Sequence, residues 1–147
     1  MIRTFLIAAF AWLATAAPRA DATAPTDSTA LQLFAAVEAA WAASDAERLA
    51  SMVDTTVVRI GLKPGAPLTS AVTQSAAAFL FRDQLRLVET REFRVVRLEV
   101  NKKGTARATG RWTGNWGGRR GTRDVKVEFA AAATGGRWML TEVRAED

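Results

Sequence analysis

The chain has 147 residues, 49% of them apolar, with 20 basic and 15 acidic side chains for a formal net charge of +5. It contains no cysteine, no histidine and no tyrosine. That is the size of one ordinary domain with its own core, and it excludes disulfides, a thiol nucleophile, an imidazole base, a phenol donor and an ordinary nitrogen–sulfur zinc site.

Residues 1–22 open with Arg3, run through the unbroken apolar stretch Phe5 to Leu13, and reach two small-x-small triplets, Ala14-Thr15-Ala16 and Ala20-Asp21-Ala22. This is the pattern of a secretory signal peptide, with an apolar run too short to span a bilayer comfortably. The expectation is export through a cleaved signal, to the periplasm or the extracellular space. No Cys follows to carry a lipid anchor, and no second long apolar stretch predicts a transmembrane segment in the mature chain. Residues 23–28 (TAPTDS) read as a flexible tether, and 29–147 as a single domain.

Asp27 or Ser28 is a candidate N-cap for a first helix in which Leu31, Phe34, Val37 and Trp41 recur at helical spacing. Ser44, followed three residues later by Glu47, is a capping-box pattern for a short second helix that buries Leu49, Met52 and Val53. Val57-Val58-Arg59-Ile60 reads as a short strand and Lys63 to Pro67 as a loop. A third helix is predicted from Thr69 or Ser70 to about Leu87, with Val72, Ala76, Phe79, Leu80 and Leu87 in phase. Phe81, Leu85 and Val88 make it apolar on other sides too, as in a helix that is buried or serves an interface.

From Glu92 the period changes to two. Phe93, Val95, Leu98 and Val100 mark a strand whose phase slips at Val95-Val96, which predicts a bulge. Asn101 to Gly104 is a hairpin turn. The next strand alternates strictly, with Ala106, Ala108, Gly110, Trp112, Gly114 and Trp116 on one face and Thr105, Arg107, Thr109, Arg111, Thr113 and Asn115 on the other. After the Gly117 to Gly121 loop, Val125, Val127, Phe129 and Ala131 mark a third strand, Thr134-Gly135-Gly136 a turn, and Trp138 to Val143 a fourth. Strands joined this tightly pair antiparallel. The fold class is therefore α+β, with N-terminal helices packed on a curved antiparallel four-stranded sheet.

The element order, the Phe34…Trp41 helix followed by Ser44-Asp45-Ala46-Glu47-Arg48-Leu49, and the closing Arg137-Trp138-Met139-Leu140 strand resemble the nuclear-transport-factor-two-like, or ketosteroid-isomerase-like, superfamily. The resemblance covers roughly residues 29–146 and extends to small exported bacterial members without an assigned activity. It implies a cone-shaped, cystatin-like domain, a pocket between helices and sheet, and homodimerisation through the open sheet face. Arg107, Arg111 and Lys126 would then lie near the interface and need carboxylate partners such as Glu99 or Glu128. Catalytic members commonly combine an Asp base with Tyr, His or Asp, and this chain supplies neither Tyr nor His.

What remains for catalysis is carboxylate chemistry. Asp54 follows the second helix, where it either faces a pocket or simply ends the helix. Asp83 shares a helix face with Val72, Ala76 and Phe79, where burial would raise its pKa; the alternative is an ion pair with Arg86 or Arg82. Gly110 and Gly114, interleaved with Trp112 and Trp116, leave slots on one sheet face. Such slots hold either an apolar ligand or core residues such as Phe79 or Trp41. The candidate pocket lining is Trp41, Phe79, Trp112, Trp116 and Phe129. Between Arg82 and Lys126 lie 13 basic residues against 5 acidic ones. Within that stretch Arg119, Arg120 and Arg123 form a candidate anion site, with a solvated rim as the plain alternative. The aromatic residues and the Arg stripe occupy opposite faces, which speaks against nucleic acid. No metal or cofactor site is expected. The function expected is an exported, non-catalytic binding or interaction domain that holds a small apolar ligand. The alternatives are a carboxylate-dependent isomerase or lyase and an anion-binding module.

Overall fold

A computed structural model describes residues 27–147; residues 1–22, read from the sequence as a signal peptide, and the first four residues read as a tether lie outside them. Helix α1 (Asp27–Ala42) begins at Asp27, so the last two residues assigned to the tether are helical. It buries Ala30, Phe34, Val37, Ala40 and Trp41, a 4–3–4 spacing that puts one apolar stripe against the sheet. Leu31 is 58% exposed, contrary to expectation, because the small Ala30 takes the inward position beside it.

Helix α2 (Ala46–Ser51) is capped by Asp45, whose carboxylate accepts from the Arg48 backbone N–H at 3.1 Å. Ser44 is not the cap: its φ of 54° puts it in the left-handed region, in the turn that ends α1. Its expected capping-box partner Glu47 instead pairs with Arg82 of the third helix.

Strand β1 (Arg59–Gly61) pairs in parallel with the C-terminal strand, Ile60 opposite Val143. The third helix, α3 (Gln74–Leu87), starts later than predicted, with Thr73 as N-cap accepting from the Ala76 N–H. Thr69 is engaged elsewhere. Its hydroxyl accepts from the Ile60 N–H at 3.0 Å and its own N–H donates to the Ile60 carbonyl, so it closes the outer edge of β1. α3 buries Ala77, Ala78, Phe81 and Leu85, and the stripe of Val72, Ala76 and Phe79 is not its inner face. Two alanines let the helix approach α2 closely, and Phe81 then meets Trp41 edge-on at 6.1 Å.

The remaining strands are β2 (Glu89–Asn101), β3 (Thr105–Asn115), β4 (Thr122–Thr134) and β5 (Arg137–Glu146). With β1 they form one mixed sheet of five strands, in the order β1-β5-β4-β3-β2, rather than the four-stranded antiparallel sheet expected. β2 to β5 pair antiparallel as predicted, and the register of β2 shifts between Val95 and Arg97 where the bulge was expected. The Val95 N–H at that shift donates to the Glu38 carboxylate of α1 at 2.8 Å, so the helix seals the edge strand at its weak point.

The inward sheet residues and the helices share one apolar cluster. At its centre Trp41 stacks on Phe93 at 4.6 Å and meets Trp112 edge-on at 5.2 Å and Phe129 at 5.9 Å. No helix among the described residues is long and apolar enough to cross a membrane.

Candidate ligand cleft at the open end of the sheet

The slots predicted beside Trp112 and Trp116 are closed. A Cβ at Gly110 would stand 2.5 Å from Phe93 Cζ and 3.2 Å from Phe129 Cε2. At Gly114 it would meet Val88 Cγ1 at 2.8 Å and the Glu89 carbonyl at 2.9 Å. The glycines are required because the Phe93 and Phe129 rings fill the space over Gly110, and Val88 with the Glu89 carbonyl fills that over Gly114. Trp41, Trp112 and Phe129 are therefore core, each 2% exposed or less. The Trp112 indole N–H is satisfied by the Thr90 hydroxyl at 2.9 Å. Phe79 does not join them: it is 62% exposed on the outer side of α3.

The open space lies further along the same face, past the end of β3. There a cleft of about 850 Å³ is bounded by α3 on one side, by the segment from Ile60 to Thr69 on another, and by Trp116 to Arg120 on the third. Residues 118–120 form a short 3₁₀ turn between β3 and β4. Ile60, Leu80, Leu87 and Trp116 supply apolar wall, and Asp83, Gln84, Lys63, Arg119 and Arg120 supply the polar groups. Of the residues predicted to carry function, the structure thus brings Trp116, Asp83, Arg119 and Arg120 together. Lys63, Leu80 and Leu87 were not singled out for the site; the Pro-Gly loop after Lys63 and the second apolar side of α3 were the available signals.

Trp116 joins the core to the cleft. Its ring lies 4.9 Å from that of Trp112, edge-on, and the Arg123 guanidinium sits 5.0 Å over its other side. Arg123 is held by Asp147 at 2.7 Å, so the third arginine of the predicted cluster is a strut behind the wall rather than part of the lining. The Trp116 Nε1 and Arg123 Nε donors are buried and find no acceptor among the described residues.

Asp83 is half exposed, not buried, and pairs with Arg86 one helical turn on at 3.2 Å. Asp54 lies at the far end of β4. Its carboxylate accepts from the Thr56 hydroxyl at 2.7 Å, from the Thr56 N–H at 3.0 Å and from Thr134 at 3.4 Å. The Thr56 bonds, side chain first and backbone second, hold its pKa below the ordinary carboxylate value, which makes it a weaker base.

The outer sheet face is a grid of charge. Lys126 is flanked by Glu146 at 2.7 Å and Glu128 at 3.3 Å, and these bonds raise its pKa, Glu146 most. Glu99 pairs with Arg97. Both carboxylates anticipated as dimer partners are thus taken within the chain, and Arg107 and Arg111 have no ion pair among the described residues.

The architecture is matched among solved structures. An NTF-2 like protein of unknown function from Shewanella oneidensis MR-1 superposes with a TM-score of 0.61 at 14% identity, over 82% of this chain and 98% of that one. The fold is nuclear-transport-factor-two-like. A DUF4783 family protein from Bacteroides ovatus gives 0.64 at 12% identity, over 77% and 93% of the two chains. A domain of unknown function with a cystatin-like fold from Nostoc punctiforme gives 0.64 at 13%, over 83% and 78%. No family model matches the chain, and no curated protein matches it. At these identities the likeness is one of fold, and nuclear-transport-factor-two-like domains carry their chemistry in site residues rather than in architecture.

Proposed function

We propose that this nuclear-transport-factor-two-like chain is an exported, non-catalytic binding domain that takes a small, largely apolar ligand in the cleft between α3, the 60–69 segment and residues 116–120. The carrying observation is the contrast between a filled interior and an open mouth. The aromatic centre is closed by Phe93 and Val88, while about 850 Å³ stays accessible beside Trp116, Leu80 and Leu87. That volume is in the range of small-molecule sites.

Binding is favoured over catalysis because the only carboxylate in the cleft wall among the described residues, Asp83, is half exposed and tied to Arg86. Asp54 stands at the other end of the sheet with its lone pairs engaged. Self-association across the outer sheet face, which the family resemblance implies, meets unpaired Arg107 and Arg111 and carboxylates already in use. The surface offers a second copy more cation than anion.

Native mass spectrometry of the chain recovered from the exported fraction tests the reading. The expected spectrum shows a mass lacking residues 1–22 and a retained small molecule, and the molecule is lost in Leu87→Trp, which fills the cleft mouth at an exposed position. A full-length mass overturns export; a mature chain that stays unliganded when offered apolar compounds overturns the cleft as a binding site.

A further inference from the structure

We infer that the cleft selects a single-headed anionic amphiphile, a carboxylate, sulfonate or phosphate on an apolar body, with the head group held between Lys63 and the Arg119–Arg120 turn. This deepens the reading above and rests on the cleft being the ligand site. Three cations from two separate loops line the cleft: Lys63 on the 60–69 side, Arg119 and Arg120 across from it. None of them has an ion pair among the described residues, whereas the one carboxylate in the wall, Asp83, is already answered by Arg86. The cleft therefore carries a surplus of positive charge that the fold itself does not use.

The α3 wall adds Leu80 and Leu87 beside Asp83 and Gln84, and Leu87 is 60% exposed. A large aliphatic side chain left in water at a cleft, next to uncompensated cations, is complementary to a molecule with both characters. The Trp41 Nε1, Trp116 Nε1 and Arg123 Nε donors are all buried without an acceptor among the described residues, and of these three residues Trp116 alone lines the cleft. A polyanion surface is a poorer match, because Arg107 and Arg111, on the sheet face away from the cleft, are not continuous with these groups.

The test uses two fluorescent probes that share one ring system, anilinonaphthalene sulfonate and the neutral phenylnaphthylamine, titrated into the chain from the exported fraction. The sulfonate probe is expected to bind about tenfold or more tightly than the neutral one, the increment of one charge-assisted contact. Its advantage falls with added salt, and Arg119→Ala with Arg120→Ala brings it down to the level of the neutral probe. Arg107→Ala with Arg111→Ala leaves both affinities unchanged. Equal affinities in the wild type overturn the anionic preference and leave the apolar cleft standing. Saturable binding of neither probe overturns both readings. A sulfonate preference removed by Arg107→Ala and Arg111→Ala, and kept in the Arg119/Arg120 variant, places the anion on the outer sheet face and overturns the inference.

Discussion

Gly110→Ala probes whether the interior is closed. An added Cβ would lie 2.5 Å from Phe93 Cζ, 3.1 Å from Phe93 Cε2 and 3.2 Å from Phe129 Cε2. Phe93 has little room to yield, because it is 2% exposed, stacked on Trp41 at 4.6 Å and edge-on to Phe129 at 6.1 Å. Overpacking of this kind costs about 1–3 kcal/mol. Relief of the glycine penalty within a strand returns roughly 0.5–1 kcal/mol. The expected net destabilisation is therefore about 1–2 kcal/mol, or roughly a 5–10 °C fall in Tm for a domain of this size.

Urea unfolding followed by tryptophan fluorescence gives the measurement, with a lower midpoint and an unchanged m-value expected. Phe93→Leu removes the ring tip and costs about 1–2 kcal/mol alone. In that background Gly110→Ala should be close to neutral, a coupling of about 1–2 kcal/mol between the two sites. A neutral or stabilising Gly110→Ala in the wild-type background would show the slot to be open. The interior would then return as a ligand site and the argument for the mouth would fail. Additive effects in the double variant would refute the contact even if the single variant were destabilised.

Two further outcomes are expected. Asp45→Ala loses the α2 cap and costs about 1 kcal/mol in urea midpoint, whereas Ser44→Gly relieves a left-handed backbone and raises stability by roughly 0.5–1 kcal/mol; the opposite order would restore Ser44 as the cap. Asp54 has a folded pKa below its unfolded value of 3.8, so its contribution is fully present above that value and is lost as pH falls through the folded one. Asp54→Asn should lower stability at neutral pH and flatten the acid limb of the pH–stability profile, measured as urea midpoints. An unchanged acid limb would show that the Thr56 bonds do not persist in solution.

The strands were legible because their signal is binary. In β3 every second residue from Ala106 to Gly114 is buried, and a period of two admits only one assignment of faces. Helix orientation was less legible because side-chain size competes with side-chain position. Phe79 outweighs Ala77 and Ala78 on any apolar scale, yet the alanines face inward because they permit close packing. Leu31 and Ala30 repeat the effect in α1. β1 was readable as a strand but not as a fifth member of the sheet, since a three-residue strand gives no pattern from which to infer Val143 as its partner. The cleft was half legible. Arg119 and Arg120 stand together in sequence, but Lys63 reaches the same space only because Thr69 folds its loop back onto Ile60.

The filled core and the open cleft are not independent features. This domain has no disulfide to fix its geometry, so the positions of its loops depend on packing. The aromatic cluster runs from Phe34 and Phe129 through Trp41 and Trp112 to Trp116, and only the last of these leaves the core. Trp116 lies just beyond β3, where its backbone N–H still donates to the Gly121 carbonyl and closes the loop that carries Arg119 and Arg120. One ring thus takes its position from the core and passes it to the turn that bears the cleft cations. Substitutions at Trp116 will mix stability with binding. Arg119 and Arg120, which touch solvent and not the core, separate the two, and for that reason the charge of the cleft can change while the fold stays as it is.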